Sequence, residues 1–106
     1  MASSGLADAS GWAGIAITEL LVHGCDVARA LEVELALPGQ ICERTLARVF
    51  PWVSLNVGPP ELLLLAVTER ATVHGLPSGP DWWWQSAPLP EWDGTPRQRT
   101  SPPRWR

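Results

Sequence analysis

Apolar residues recur at steps of three and four through the first third of the chain, which predicts an amphipathic helix over about 11–34. Nine residues form its apolar stripe: Ala13, Ala16, Ile17, Leu20, Leu21, Gly24, Val27, Ala28 and Leu31. We expect this stripe to be the packing face of the helix. Glu19, His23 and Asp26 fall on a narrow strip beside it, and Thr18 falls on the far side. The pattern therefore places three polar residues at the edge of a buried face.

Two further helices are predicted after this one. The second covers about 40–53, but Pro51 must kink it or end it early, because proline removes a hydrogen bond and crowds the preceding turn. The third begins at Pro59-Pro60-Glu61, since proline is tolerated and an acid is favoured in a first turn. It runs to about Thr72 and contains four consecutive leucines, so we expect it to be buried on two sides.

The region 81–94 has no helical or strand period and is rich in tryptophan and proline. We expect an irregular segment that covers the helices with large aromatic side chains. The predicted fold class is therefore mainly α, a partial helical bundle of about three helices with an irregular C-terminal segment. The predicted organisation is a flexible lead-in at 1–10, with Asp8 or Ser10 as helix cap, one domain at 11–94, and a disordered basic tail at 95–106.

Charge is distributed unevenly along the chain. The net charge is −3, but all eleven acids lie at or before Asp93, while four of the eight arginines lie after it. Residues 1–96 therefore carry −7 and the last ten carry +4. A negative folded part argues against nucleic-acid binding. The tail could contact an anionic partner or be simply a solvated end.

Cysteine usage and hydropathy suggest a reduced, non-membrane protein. Cys25 and Cys42 match no metal or redox spacing, and Cys42 is expected to pack in the interior. The longest purely apolar run is Leu62–Val67, far short of a membrane span. The N-terminus lacks the basic region of a signal peptide. These features predict a soluble cytoplasmic protein.

The candidate chemistry lies in the first helix. Glu19 and His23 are four residues apart, so a carboxylate and an imidazole stand one above the other and can share a divalent ion such as zinc. Asp26 could assist without binding the metal itself, by orienting the imidazole or a metal-bound water. The alternative is a solvated hydrogen-bonded pair without metal. His74 is expected at the end of the third helix, where it would interact with free carbonyl groups.

Two stretches carry a resemblance to a known family. The run from Gly11 to Ala30, with Glu19 and His23 in its E-x-x-x-H motif, resembles the second metal-binding helix of the mycothiol-dependent maleylpyruvate isomerase family, in the DinB-like four-helix-bundle superfamily. The segment from Trp82 to Gly94 is similar to a C-terminal segment of some members. The resemblance implies that the chain corresponds to the C-terminal part of a longer, DinB-like bundle.

The resemblance also implies a cofactor and an activity. Family members hold a divalent metal, commonly zinc, with three protein ligands, and use the thiol mycothiol on a small-molecule substrate. Glu19 and His23 correspond to two ligands and Asp26 to the assisting carboxylate, whereas the third ligand, a His on an early helix, is missing here. We therefore expect a truncated metal-binding member with impaired or no catalysis and with its apolar stripe exposed. The alternative is a non-enzymatic helical protein that dimerises through this stripe, which could also rebuild a metal site.

Overall fold

The computed structural model describes residues 7–77 and 79–99. Within these residues, three α-helices follow in order: α1 at Ala9–Ala30, α2 at Gly39–Val49 and α3 at Pro60–Val67. A 3₁₀ turn then follows at Leu89–Glu91. The described residues contain no strand, only an isolated antiparallel bridge between Trp82 and Gln98. The prediction of a mainly helical fold with three helices is confirmed.

Both ends of α1 are fixed by side-chain and backbone hydrogen bonds. Asp8 is the N-cap, and its Oδ1 accepts from the Gly11 N–H at 2.7 Å. The helix ends at Ala30, before the predicted boundary, because Glu32 adopts a left-handed conformation with φ of 56°. The N–H of Val33 then donates to Ala28 O at 2.8 Å, which completes a Schellman motif.

The ends of α2 and α3 have equally local causes. The second helix stops at Val49, since the residue before Pro51 is pushed out of the helical region, and Phe50 has φ of −130°. The third helix ends at Val67, earlier than predicted, because Glu69 repeats the left-handed turn with φ of 67°. This turn directs Arg70 back toward α1, where it reaches Asp26.

The core forms where α2 lies between α1 and α3. Its fully buried side chains are Cys42, Leu46, Val49 and Phe50 from α2 and its end, with Leu63, Leu64 and Val67 from α3. As predicted, α3 is buried over more than one face. The irregular C-terminal segment covers this core, because Trp84 is buried and Trp82 packs 6.0 Å from Phe50 between ring centroids. The prediction for this segment is confirmed.

The buried face of α1 is not the one predicted. Gly11, Gly14, Thr18 and Val22 face the core, whereas Leu20, on the predicted stripe, is 76% exposed. A β-carbon at Gly14 would lie only 2.5 Å from Val49 Cγ1, so the absence of a side chain lets α1 approach α2 closely. Thr18, predicted for the far side, is fully buried, and its hydroxyl donates to Gly14 O at 2.7 Å, which satisfies the buried polar group. Close approach of the backbones, not side-chain hydropathy, therefore selects this face.

Arg48 joins the start of α1 to the C-terminal segment. Its guanidinium donates to Asp8 Oδ1 at 2.7 Å and to Gln85 O at 2.9 Å. The helix cap and this arginine together hold the pKa of the Asp8 carboxyl below its usual range, with the Gly11 N–H as the largest cause.

Within the described part of the chain, no helix is long and apolar enough to span a membrane.

The predicted terminal regions lie partly outside the described residues. Residues 1–6 of the predicted lead-in and 100–106 of the predicted tail are in this position. Residues 97–99 of that tail run beside 81–83, where the Arg99 N–H donates to Asp81 O at 2.7 Å and the Trp83 N–H donates to Arg97 O at 3.2 Å. The start of the predicted tail thus lies against the tryptophan segment.

Candidate functional site

The three residues selected from the sequence form one cluster on α1. His23 Nε2 lies 2.6 Å from Glu19 Oε2, and His23 Nδ1 lies 3.8 Å from Asp26 Oδ2. The His23 and Glu19 side chains are 62% and 45% exposed. They border the predicted apolar stripe, and the expectation that this stripe is buried beside them is wrong, because Leu20, Val27 and Leu31 are exposed. The cause is the orientation of α1, which turns Gly11, Gly14, Thr18 and Val22 toward the core.

Asp26 is fixed by a residue that lies 44 positions further along the chain. Arg70 Nε donates to Asp26 Oδ1 at 2.9 Å and Arg70 Nη2 donates to Oδ2 at 2.8 Å, a bidentate ion pair. These hydrogen bonds hold the pKa of the Asp26 carboxyl below its usual range. The result is a carboxylate that is held beside the Nδ1 edge of the His23 ring. Sequence reasoning missed Arg70, because its position depends on the left-handed turn at Glu69.

Glu19 and His23 offer ligand atoms that suit a divalent ion, but they are only two ligands. An imidazole nitrogen and a carboxylate oxygen are ordinary zinc ligands, and one helical turn brings them into contact here. Among the described residues, no group of three or more His, Cys, Asp or Glu side chains could hold a metal ion. Catalytic zinc sites use three protein ligands. Glu19 and His23 thus fit an open two-ligand site and do not form a complete catalytic one.

The other candidate side chains lie apart from this cluster. His74 lies in an exposed turn, not at the end of α3, because that helix ends seven residues earlier. Cys42 is buried in the core, as expected, and burial, with a smaller effect of the Glu61 charge, raises the pKa of its thiol to about 11. A thiol in this state is a packing group and a poor nucleophile.

An apolar groove runs along α1 next to the cluster. We call it the α1 groove, and its lining consists of Ala16, Leu20, Gly24, Val27, Ala28 and Leu31 from the helix with Val33 and Leu35 from the following loop. Glu19 and His23 form one edge of the groove. Leu20 and Leu31 are 76% and 69% exposed, so the groove is open to solvent along four helical turns. The expected exposure of the apolar stripe is thus observed for Leu20, Val27 and Leu31, whereas Ile17 and Leu21 are half-buried.

Comparisons of this chain with protein-family models, with characterised proteins and with solved structures find no match.

Proposed function

We propose that this chain is a divalent-metal-binding helical protein, with Glu19 and His23 as its protein ligands and zinc as the ion. One observation supports this most strongly: the His23 Nε2 and Glu19 Oε2 atoms lie 2.6 Å apart on an accessible helix face. Both atoms can turn toward a common cation with small side-chain rotations. The remaining coordination positions would be filled by water or by groups from another molecule.

The neighbouring ion pair supports the assignment. Metal-binding histidines usually have a partner for their second ring nitrogen, which orients the ring. Asp26 Oδ2 lies 3.8 Å from His23 Nδ1, and Arg70 fixes its position. We therefore propose that Asp26 acts on the metal through His23, as a positioning residue, which is the role predicted from the sequence.

Membership of the mycothiol-dependent isomerase family is part of the proposal and is supported only by the E-x-x-x-H helix and the tryptophan–proline segment. A cytoplasmic location would agree with it. A zinc ion, when bound, supplies a Lewis acid that can activate a thiol or polarise a substrate. Two ligands from one chain leave the three-ligand catalytic shell incomplete, so we propose metal binding and assign neither a reaction nor a role for mycothiol to this chain.

Zinc titration of the full chain by calorimetry tests the proposal, with four proteins compared. We expect the wild type to bind zinc and the His23→Ala variant to lose binding. His74→Ala is the matched control, since it removes the other histidine of the chain and should bind as the wild type does. Asp26→Asn should weaken binding about 10- to 100-fold. Equal binding by the wild type and His23→Ala would refute the assignment.

A further inference from the structure

We propose that a cavity at the tryptophan–proline segment binds a small aromatic carboxylate of about the size of benzoate. The cavity lies between the end of α3, the turn at 79–82 and the segment 96–98. Its volume is about 220 Å³. A cavity of roughly 150 Å³ is enough to bind benzene, so this one suits a single substituted aromatic ring.

Aromatic side chains form the apolar wall of the cavity. Trp52 and Trp82 both line it. The buried ring of Phe50 lies 5.6 Å from that of Trp52 and 6.0 Å from that of Trp82, between centroids, so both indoles are fixed against the core. Contacts between aromatic rings stabilise beyond the area they bury, so this wall favours a flat aromatic ligand over an aliphatic one. Prolines supply further apolar lining at Pro77, Pro80 and Pro96.

Arg97 supplies the charge that selects a carboxylate. It lines the cavity and is half-buried, and its side chain forms no hydrogen bond or ion pair with any residue in 7–77 or 79–99. Asp81 also lines the cavity, but its Oδ1 lies 3.6 Å from the Arg99 Nε, so an arginine outside the lining offsets its charge. These three side chains together carry a charge of +1, although residues 1–96 as a whole are negative. A guanidinium can donate two parallel hydrogen bonds to a carboxylate, which makes this anion the favoured partner.

Backbone hydrogen bonds hold Arg97 at the cavity. The Trp83 N–H donates to Arg97 O at 3.2 Å, and the Arg99 N–H donates to Asp81 O at 2.7 Å. These bonds keep the segment 97–99 beside 81–83, so the charged and the aromatic parts of the lining have fixed relative positions. None of the described lining residues comes from α1. The proposed binding therefore needs neither Glu19, His23 nor a metal ion, and it stands apart from the proposed function.

Titration of the ¹⁵N-labelled full chain with benzoate tests the proposal, by nuclear magnetic resonance in EDTA at constant ionic strength. We expect a Kd of about 1 mM or tighter, with shifts of the indole N–H resonances of Trp52 and Trp82. Arg97→Gln should raise the Kd about 10-fold or more, because it removes charge-assisted hydrogen bonds, while far-UV circular dichroism stays unchanged. Arg44→Gln is the matched control, at an exposed arginine of α2 outside the cavity, and should bind benzoate as the wild type does.

Two further ligands separate the contribution of the ring from that of the charge. Benzamide keeps the ring without the charge, so the wild type should bind it about 10-fold more weakly than benzoate, and Arg97→Gln should bind both ligands alike. Acetate keeps the charge without the ring and should cause no shift of either indole at about 10 mM. The absence of an indole shift with 10 mM benzoate, about ten times the expected Kd, would overturn the proposal. Equal benzoate affinity of the wild type and Arg97→Gln, or acetate binding as tight as that of benzoate, would overturn it as well.

Discussion

Because the thiol of Cys42 is buried, we expect this protein to lose stability as the pH rises from 9 to about 11. Burial raises the pKa of Cys42 from 9.0 to about 11, with a smaller contribution from the Glu61 charge. Between these two values the unfolded chain has released the proton while the folded chain retains it. The free energy of unfolding therefore falls as pH rises through this window and is unaffected by this group below it. At pH 8 the full stability should remain.

The magnitude follows from the size of the shift. One pKa unit corresponds to 1.36 kcal/mol, so a shift of about two units gives a loss of about 2–3 kcal/mol by pH 11. This is a large share of the stability of a small domain, which is about 5–15 kcal/mol. The composition simplifies the measurement, because the chain has no Lys and no Tyr that would titrate in the same pH range. The other groups that bind protons in alkali are Cys25, the α-amino group and the arginines.

Urea denaturation followed by far-UV circular dichroism at pH 8, 9, 10 and 11 measures this loss. Cys42→Ala removes the titrating group, so its unfolding free energy should be lower at pH 8 but nearly constant up to pH 11. Cys25→Ser, a change at the less buried cysteine, should retain the wild-type pH dependence. A Cys42→Ala variant that loses as much stability with pH as the wild type would refute the role given to this thiol.

Two backbone predictions use the same measurement on dilute protein. Gly14→Ala should destabilise the fold by about 1–3 kcal/mol, because its β-carbon would overlap a valine of α2. Gly24→Ala, in the same helix, should instead stabilise it by about 0.5–1 kcal/mol, because the added carbon meets only an ordinary contact and alanine favours the helix. If both variants changed the free energy of unfolding in the same direction, the packing described for α1 would be contradicted. Glu69→Gly should stabilise the fold by about 1 kcal/mol, because glycine adopts the left-handed conformation without strain; a loss of stability would show that the glutamate side chain itself contributes.

The helices were predictable from local rules, and their ends were less so. Proline marked the start of α3, and Pro51, two residues beyond Val49, ended α2 early, which was one of the two outcomes predicted for it. The ends of α1 and α3 were placed too late, because a left-handed turn is expected at glycine or asparagine. Here Glu32 and Glu69 adopt it. Nothing in a glutamate marks this conformation, so the turn is visible only once the surrounding hydrogen bonds are known.

The choice of buried face on α1 could not be made from hydropathy. The more apolar face, with Leu20 and Leu31, is exposed, and the face with Gly11 and Gly14 is buried. Small residues let the backbones of two helices pack in direct contact, which stabilises the helix pair. How much this contact stabilises α1 against α2 depends on the surface shape of α2, which the α1 sequence does not contain. The candidate site was predictable in part, since Glu19, His23 and Asp26 are neighbours by helical spacing alone. Arg70 was not, because tertiary structure brings it to Asp26.

Nuclear magnetic resonance of the imidazole nitrogens during a zinc titration tests the central claim most directly. The chain has only two histidines, His23 and His74, so two imidazole spin systems are expected. Zinc should change the Nε2 resonance of His23, the atom that faces Glu19 in the structure, and leave His74 unchanged. Glu19→Gln should weaken this response. A His23 resonance that does not respond to zinc, or a response at His74 alone, would contradict the account.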